Sequence, residues 1–199
     1  MTTLLLIRHA MTAMVDRAIS GWMPGVHLNE TGRVQALELA ERLAQAPLAA
    51  IYSSPLERAI ETAEPLAEKI GLKIQVRDEA GEVRFGEWTG CTLQELSGNP
   101  LWQRFNSFRS LTRIPGGEMM AETQTRMVAL LEELRLIHPD QLIAVISHGD
   151  VIRAAIAHYA GIHPDLFQRL EISPASVSVI ELSEYAPRLV RLNDNGSLF

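Results

Sequence analysis

The sequence predicts an α/β fold, a three-layer α/β/α sandwich around a mostly parallel, mixed sheet. Two observations carry this. Short apolar runs of strand length alternate with segments of helical periodicity along most of the 199 residues. Two of those runs, Leu4-Leu5-Leu6-Ile7 and Ala144-Val145-Ile146, end at a histidine, in Arg8-His9 and Ser147-His148-Gly149. In an open α/β sheet, neighbouring strand ends on the carboxyl edge converge on one crevice. Two histidines delivered there, one with an arginine beside it, point to phosphate handling.

Residues 3–7 read as a buried strand, uncharged and bounded by Arg8-His9. Residues 10–28 read as a loop broken by Gly21, Pro24 and Gly25. Asn29-Glu30-Thr31-Gly32 opens a helix in which Val34, Leu37, Ala40, Leu43 and Ala44 follow at helical spacing until Pro47. Residues 49–53 form a second strand. Ser54-Pro55 predicts the next helix start, with Ser54 as the cap and Pro55 in the first turn, and that helix runs to Gly71. Lys-Ile-Gln-Val-Arg at 73–77 alternates as a half-exposed strand does.

Residues 78–118 are irregular and rich in glycine and proline, with short helices expected at 92–97 and 100–108. This segment reads as an insertion over the crevice, where a substrate-selecting cap would sit. It has no core of its own in sequence, so residues 1–199 are expected to form one domain. A long helix spans 119–137, with Met120, Met127, Leu130, Leu131 and Leu134 mostly on one stripe, and Pro139 ends it. A buried strand at 142–146, a helix at 149–160 and closing strands at 176–182 and 187–192 complete the chain.

The 47% hydrophobic content suits a sizeable core. A formal net charge of −6 argues against a general nucleic-acid binder, so any cationic site is local. Cys91, the only cysteine, forms no intrachain disulfide and no cysteine-rich zinc cage, which fits a reducing compartment. The N-terminal apolar run is too short for a signal-peptide core or a membrane span. The expectation is a cytoplasmic protein without membrane partners.

Read one at a time, the candidate residues are ambiguous. Arg8 and His9 suit a structural pair as well as a functional one. Arg58 lies near a helix N-terminus, where free N–H groups and a partial positive charge favour phosphate, yet it also suits a surface pair with Glu57 or Glu61. His148 precedes Gly149, which lets backbone approach a ligand closely. Glu82 lies between Gly81 and Gly86, and spacing alone does not select it. His27 is a candidate for the mouth of the site, whereas His138, His158 and His163 lack metal-like spacing and read as structural or exposed. Trp22, Trp88 and Trp102, with Met119, Met120 and Met127, read as packing. Arg84, Arg104, Arg109 and Arg113 read as solvated, one or two being available for a second anionic group on a substrate.

Together the segments resemble the histidine phosphatase superfamily, also called phosphoglycerate mutase-like. The resemblance covers nearly the whole chain and its motifs occur in order: Leu6-Ile7-Arg8-His9; Leu28-Asn29-Glu30-Thr31-Gly32 with Gln35-Ala36; Tyr52-Ser53-Ser54-Pro55-Leu56-Glu57-Arg58-Ala59 with Thr62-Ala63; Glu82-Val83-Arg84-Phe85-Gly86 with Trp88 and Gly90; Pro115-Gly116-Gly117-Glu118; and Ser147-His148-Gly149. The sequence departs from the family at Ala10, usually glycine, at Val15, often asparagine, and at Ser20, where glutamine often precedes the glycine. Thr12 keeps the usual hydroxyl.

The resemblance implies a phosphoglycerate mutase-like fold and a catalytic set of His9, Glu82, Arg8, Arg58 and His148. His9 would be the nucleophile that becomes a phosphohistidine, and Glu82 the general acid and base. Arg8, Thr12, Arg58, His148 and Gly149 would contact the phosphate, with no metal and no cofactor. The implied activity is a metal-independent phosphatase on a small phosphorylated metabolite. A cofactor-dependent phosphoglycerate mutase or other phosphomutase is the alternative, for which the compact 78–118 segment looks less equipped. A catalytically weak phospho-ligand binding module is the third reading, against which the full residue set argues. Neither monomer nor homodimer follows from the sequence.

Overall fold

The computed structural model describes residues 1–196. Its strands are β1 (Thr2–Arg8), β2 (Leu48–Ser53), β3 (Ile74–Val76), β4 (Leu142–Ser147), β5 (Val177–Leu182) and β6 (Pro187–Asp194). The α-helices are α1 (Glu30–Leu43), α2 (Glu57–Ile70), α3 (Leu93–Ser97), α4 (Pro100–Ser107), α5 (Met120–Ile137) and α6 (Gly149–Tyr159). Among the described residues one sheet runs in the order β3-β2-β4-β1-β5-β6. β3, β2, β4 and β1 pair in parallel, while β5 pairs antiparallel with both β1 and β6. This is the expected three-layer, mostly parallel mixed sheet.

The layers follow from the period-2 geometry of strands. Leu4 and Leu6 of β1 join one core with Ile143 and Val145 of β4, under α5 and α6. Leu5 and Ile7 join the other with Ala144 and Ile146, under α1 and α2. Each central strand is covered on both faces, so it reads as a continuous apolar run rather than an alternating one. Burial that removes charge from these strands also makes their ends the first places where polar chemistry is accessible.

Element boundaries differ from the sequence expectation in an informative way at α2. This helix begins at Glu57, not at Pro55, and Leu56 rather than Ser54 holds the capping position, without a side-chain bond. The Ser54 N–H is taken by Ile146 O at 2.9 Å, so Ser54 continues the strand edge. Arg58 therefore lies in the opening turn of α2 rather than one turn in. α1 begins as expected: Asn29 accepts the Gly32 N–H at 2.8 Å. Gly32 is required there, because a Cβ would lie 2.0 Å from Met11 O. Gln35 Oε1 then takes the Met11 N–H at 2.9 Å, and Asn29 N–H donates to Met11 O at 3.1 Å. The Leu28–Gln35 motif thus fastens α1 to the loop that follows His9.

Segment 78–118 contains α3, α4 and three short 3-10 turns, packed over the α5/α6 side of the sheet. Trp88 and Phe105 are buried in the same core as Leu4 and Leu6, and Trp102 is half-buried against it. Among the described residues, no helix is long and apolar enough to cross a membrane.

Candidate active site

Sheet register places the two histidines. Arg8 of β1 pairs with Ser147 of β4. His9 N–H then donates to Ser147 O at 2.9 Å, and the His9 and His148 rings stand 5.2 Å apart between centroids. β2 ends beside them, and Ser54 Oγ meets His148 Nε2 at 2.7 Å. Three parallel strand ends therefore deliver Arg8-His9, Ser54 and His148 to one edge, as open α/β sheets do.

His9 Nδ1 lies 2.8 Å from Ala10 O. A carbonyl only accepts, so Nδ1 carries the hydrogen and Nε2 of the neutral ring carries the lone pair. Burial, followed by the charges of Arg58 and Arg8, holds His9 well below the ordinary imidazole range, so the ring is neutral near pH 7. The carbonyl that orients it is itself fixed. Thr62 Oγ1 accepts the Ala10 N–H at 2.9 Å and donates to Arg58 O at 2.6 Å. Ala10 is fully buried and keeps a negative φ, so alanine is unstrained at a position where the family usually has glycine.

His148 is oriented by a similar relay. Ser54 Oγ accepts from Leu56 N–H at 3.3 Å and reaches His148 Nε2 at 2.7 Å. With Ser54 donating to Nε2, the ring hydrogen sits on Nδ1, which is buried and has no hydrogen-bond partner among the described residues. Burial and then Arg58 hold this imidazole well below its ordinary range as well. Arg58 is fully enclosed. Its Nη2 donates to Gly21 O at 2.9 Å, whereas Nε and Nη1 are unpartnered. Arg8 Nη1 donates to Ile172 O at 2.6 Å, and its Nε is unpartnered. Unpaired buried donors carry a desolvation cost of about 1–3 kcal/mol each, more when charged. A phosphoryl group would satisfy these.

Glu82 joins them from the 78–118 segment. Its Oε2 lies 3.7 Å from His148 Nδ1 and 4.0 Å from Arg58 Nη2, and its Oε1 accepts the Val83 N–H at 2.9 Å. Burial pushes this carboxyl up to about 7, with Arg58 opposing and Asp150 reinforcing the shift. A carboxyl of that kind holds or releases a proton near neutral pH.

The backbone that carries Glu82 is held chiefly by Arg126, which sequence reasoning did not single out. Arg126 of α5 donates from Nη1 to Glu79 O and Gly81 O, at 2.6 and 2.8 Å, and from Nη2 to Glu82 O at 2.9 Å. Glu118 pairs with Arg126 Nε at 2.9 Å and accepts the Arg84 N–H at 2.9 Å. Trp22 Nε1 also donates to Glu82 O, at 2.6 Å. The Pro115–Glu118 motif thus helps to fasten the backbone around Glu82. An arginine two turns after a motif glutamate was the available signal.

An open crevice of about 180 Å³ lies over this edge, lined by Arg8, His9, Glu82 and Gly149, with Phe85, Leu93, Val15 and Ile19 among its apolar walls. Gly149 packs against Arg8; a Cβ there would stand 3.3 Å from Arg8 Nε. Thr12 does not line the crevice. It is buried, bridges Leu28, and its hydroxyl accepts the Met14 N–H at 3.2 Å. His27 is exposed and pairs with Glu61, away from the crevice lining. His138 Nδ1 donates to Gln141 Oε1 at 2.7 Å and its Nε2 accepts from the Tyr52 hydroxyl at 2.8 Å, while His158 and His163 are exposed.

The arginines expected to be solvated divide. Arg84 is exposed and stacks on Trp22 at 4.2 Å, Arg104 is exposed, and Arg113 pairs with Glu122. Arg109 contradicts the expectation. It is 4% exposed, lies between the Phe105 and Phe167 rings at 4.3 and 4.5 Å, and pairs with Asp150 at 3.0 Å. Two aromatic faces and a carboxylate together make burial of a guanidinium tolerable. Asp150 and Arg153, which line the crevice, were also missed; Arg153 follows Gly149 by one helical turn.

Two neutral imidazoles, two enclosed guanidiniums and a carboxyl near neutrality on one sheet edge define a phosphoryl-transfer class of α/β enzyme. The chain belongs to the histidine phosphatase superfamily (branch 1), whose family model matches residues 4–195. It is 31% identical over 195 residues to phosphoserine phosphatase 1 of Hydrogenobacter thermophilus, covering 97% of this chain and 92% of that one. It is 31% identical over 166 residues to a glucosyl-3-phosphoglycerate phosphatase of Mycobacterium tuberculosis, covering 77% and 73% of the two chains. The crystal structure of a phosphoserine phosphatase mutant from Entamoeba histolytica, in complex with phosphoserine, superposes with a TM-score of 0.90 at 26% identity over the full length of both chains.

Proposed function

We propose that this protein hydrolyses small phosphomonoesters through a phosphohistidine on His9, without a metal ion. The observation that carries the reading is the Nδ1–H bond of His9 to Ala10 O, which leaves a neutral Nε2 lone pair among the unpartnered donors of Arg8, Arg58 and His148. Nε2 attacks phosphorus, the P–O ester bond breaks, and the Glu82 proton passes to the leaving alkoxide. Water then attacks the phosphohistidine, Glu82 takes its proton, the P–N bond breaks and phosphate departs. The arginines and His148 supply the positive charge and N–H donors that the transferring phosphoryl group needs. Glu82, poised near 7, suits both proton transfers.

Relatives named for phosphoserine and glucosyl-3-phosphoglycerate support a small phosphorylated metabolite as substrate. The compact 78–118 segment favours hydrolysis over a mutase reaction. We read residues 1–199 as one catalytic domain with 78–118 as its cap, and the lone Cys91 as favouring a cytoplasmic setting.

The test is to quench a reaction with a phosphomonoester and map the label. One phosphoryl group is expected on the peptide that carries His9, lost in acid and kept in base. Rapid phosphate release with no label on His9 would overturn the intermediate. Activity is expected to survive EDTA; loss that added metal restores would overturn the metal-free reading.

A further inference from the structure

We propose that Arg153 reads a carboxylate on the substrate, so that the preferred phosphomonoester carries a carboxylate a few atoms from its phosphate. The inference rests on the phosphatase reading above and names its substrate class.

Arg153 and Arg8 form a spaced pair of cations along one crevice. Gly149, the first residue of α6, packs against Arg8, and Arg153 stands four residues further on, about 6 Å along the helix axis. Both guanidiniums are anchored on one stretch of backbone: Arg8 Nη1 donates to Ile172 O at 2.6 Å and Arg153 Nε to Leu170 O at 2.9 Å. Arg153 Nη1 donates to Asp150 Oδ1 at 3.0 Å. Its Nη2 donates to no acceptor among the described residues, and the side chain lines the crevice. A guanidinium fixed on two sides with a free donor face is preorganised for a planar anion.

Charge balance selects the anion. Asp150 is shared between Arg153 and the buried Arg109, so these three groups together leave one positive charge. Asp16, exposed on the loop after β1, lines the same crevice and adds a negative charge. With Asp16 these four groups sum to zero, so the free guanidinium face takes a singly charged planar carboxylate with less opposition than a dianion. A second phosphate dianion would meet both Asp16 and Asp150. The crevice that holds both cations also has Phe85, Ile19 and Leu93 among its walls, which suit a short carbon chain.

The test uses 3-phosphoglycerate and glycerol 3-phosphate, which share a three-carbon backbone and differ in carboxylate against hydroxymethyl. Wild-type kcat/KM is expected to favour 3-phosphoglycerate by about tenfold or more, the scale of one charged hydrogen-bonded contact. Arg153→Gln is expected to erase most of that preference through KM. Arg153→Lys, which keeps the charge, should fall between. Circular dichroism and p-nitrophenyl phosphate turnover report folding and the chemical step. Equal use of the two esters by the wild type overturns the inference, even if Arg153→Gln fails to fold. An equal loss on both esters in Arg153→Gln makes Arg153 structural and overturns it too. If the wild type hydrolyses p-nitrophenyl phosphate without the preference, only this inference falls; if it hydrolyses no ester, the phosphatase reading falls first.

Discussion

The strand ends and the 78–118 segment face the same crevice, but they hold their groups by different means. His9, Ser54 and His148 follow strands whose register is fixed by backbone ladders and packed on both faces. Glu82 sits in irregular chain, and its position is set by side chains, chiefly Arg126 and Trp22 on its carbonyl. The difference teaches where this molecule spends rigidity. On the proposed mechanism, the groups that would meet the phosphoryl oxygens within a fraction of an ångström stand on the sheet edge. Glu82, the group proposed to move a proton, and the crevice walls around it hang from fastenings that could be altered without rebuilding the sheet.

Four measurements probe the two regions separately. The largest effect is expected at the sheet edge: His9→Ala should lower turnover of every ester by about 10⁴-fold or more while the protein stays folded. Activity within tenfold of wild type would remove His9 from the reaction. Glu82→Gln should be selective instead, slowing alkyl phosphates by about 10²–10⁴-fold and aryl phosphates far less, because phenolates leave with little proton help. Equal losses would erase the distinction between the two regions.

The third measurement is pH dependence. Glu82 is raised from 4.5 to about 7 by burial, so the folded state keeps its proton where the unfolded state has released it. Its contribution to stability is full below about 4.5 and is lost as pH rises through about 7, amounting to at most about 3 kcal/mol. Glu82→Gln should therefore gain stability relative to wild type at pH 8 compared with pH 4, read by urea denaturation. In wild type, the burst rate on an alkyl phosphate should fall above pH 7, whereas an aryl phosphate should show little change. The smallest effect is expected at the fastening: Arg126→Met should cost on the order of 2–3 kcal/mol in stability and shift the alkyl-to-aryl rate ratio in the same direction as Glu82→Gln. A stability loss with an unchanged ratio would show that Arg126 braces the fold without placing the acid.

What could be read from sequence follows the same division. β1 and β4 were legible because strands buried on both faces are uninterrupted apolar runs, and the residues just beyond them are the first that chemistry can use. Arg58 stands out beside Ser53-Ser54-Pro55, although that motif puts the helix start two residues early. A serine before a proline looks like a cap, and only the sheet shows that Ser54 belongs to His148 instead. Arg109 was misjudged because its burial depends on Phe105, Phe167 and Asp150, of which Phe167 and Asp150 lie far along the chain. Glu82 was chosen by resemblance, not by spacing, since a carboxylate between glycines gives no hint of the enclosure that raises its pKa. Arg153 was within reach: four residues after Gly149 is the same helix face.

The joint between α1 and the loop after His9 has a consequence for anyone who would transplant this chemistry. Gly32 admits the backbone of Met11 where no side chain would fit, and Asn29 and Gln35 bind that same backbone. A graft that copied His9, Arg58, Glu82 and His148 onto another α/β scaffold would carry the instruments without their mount. The minimal transferable unit includes the first turns of a helix that lies outside the crevice lining.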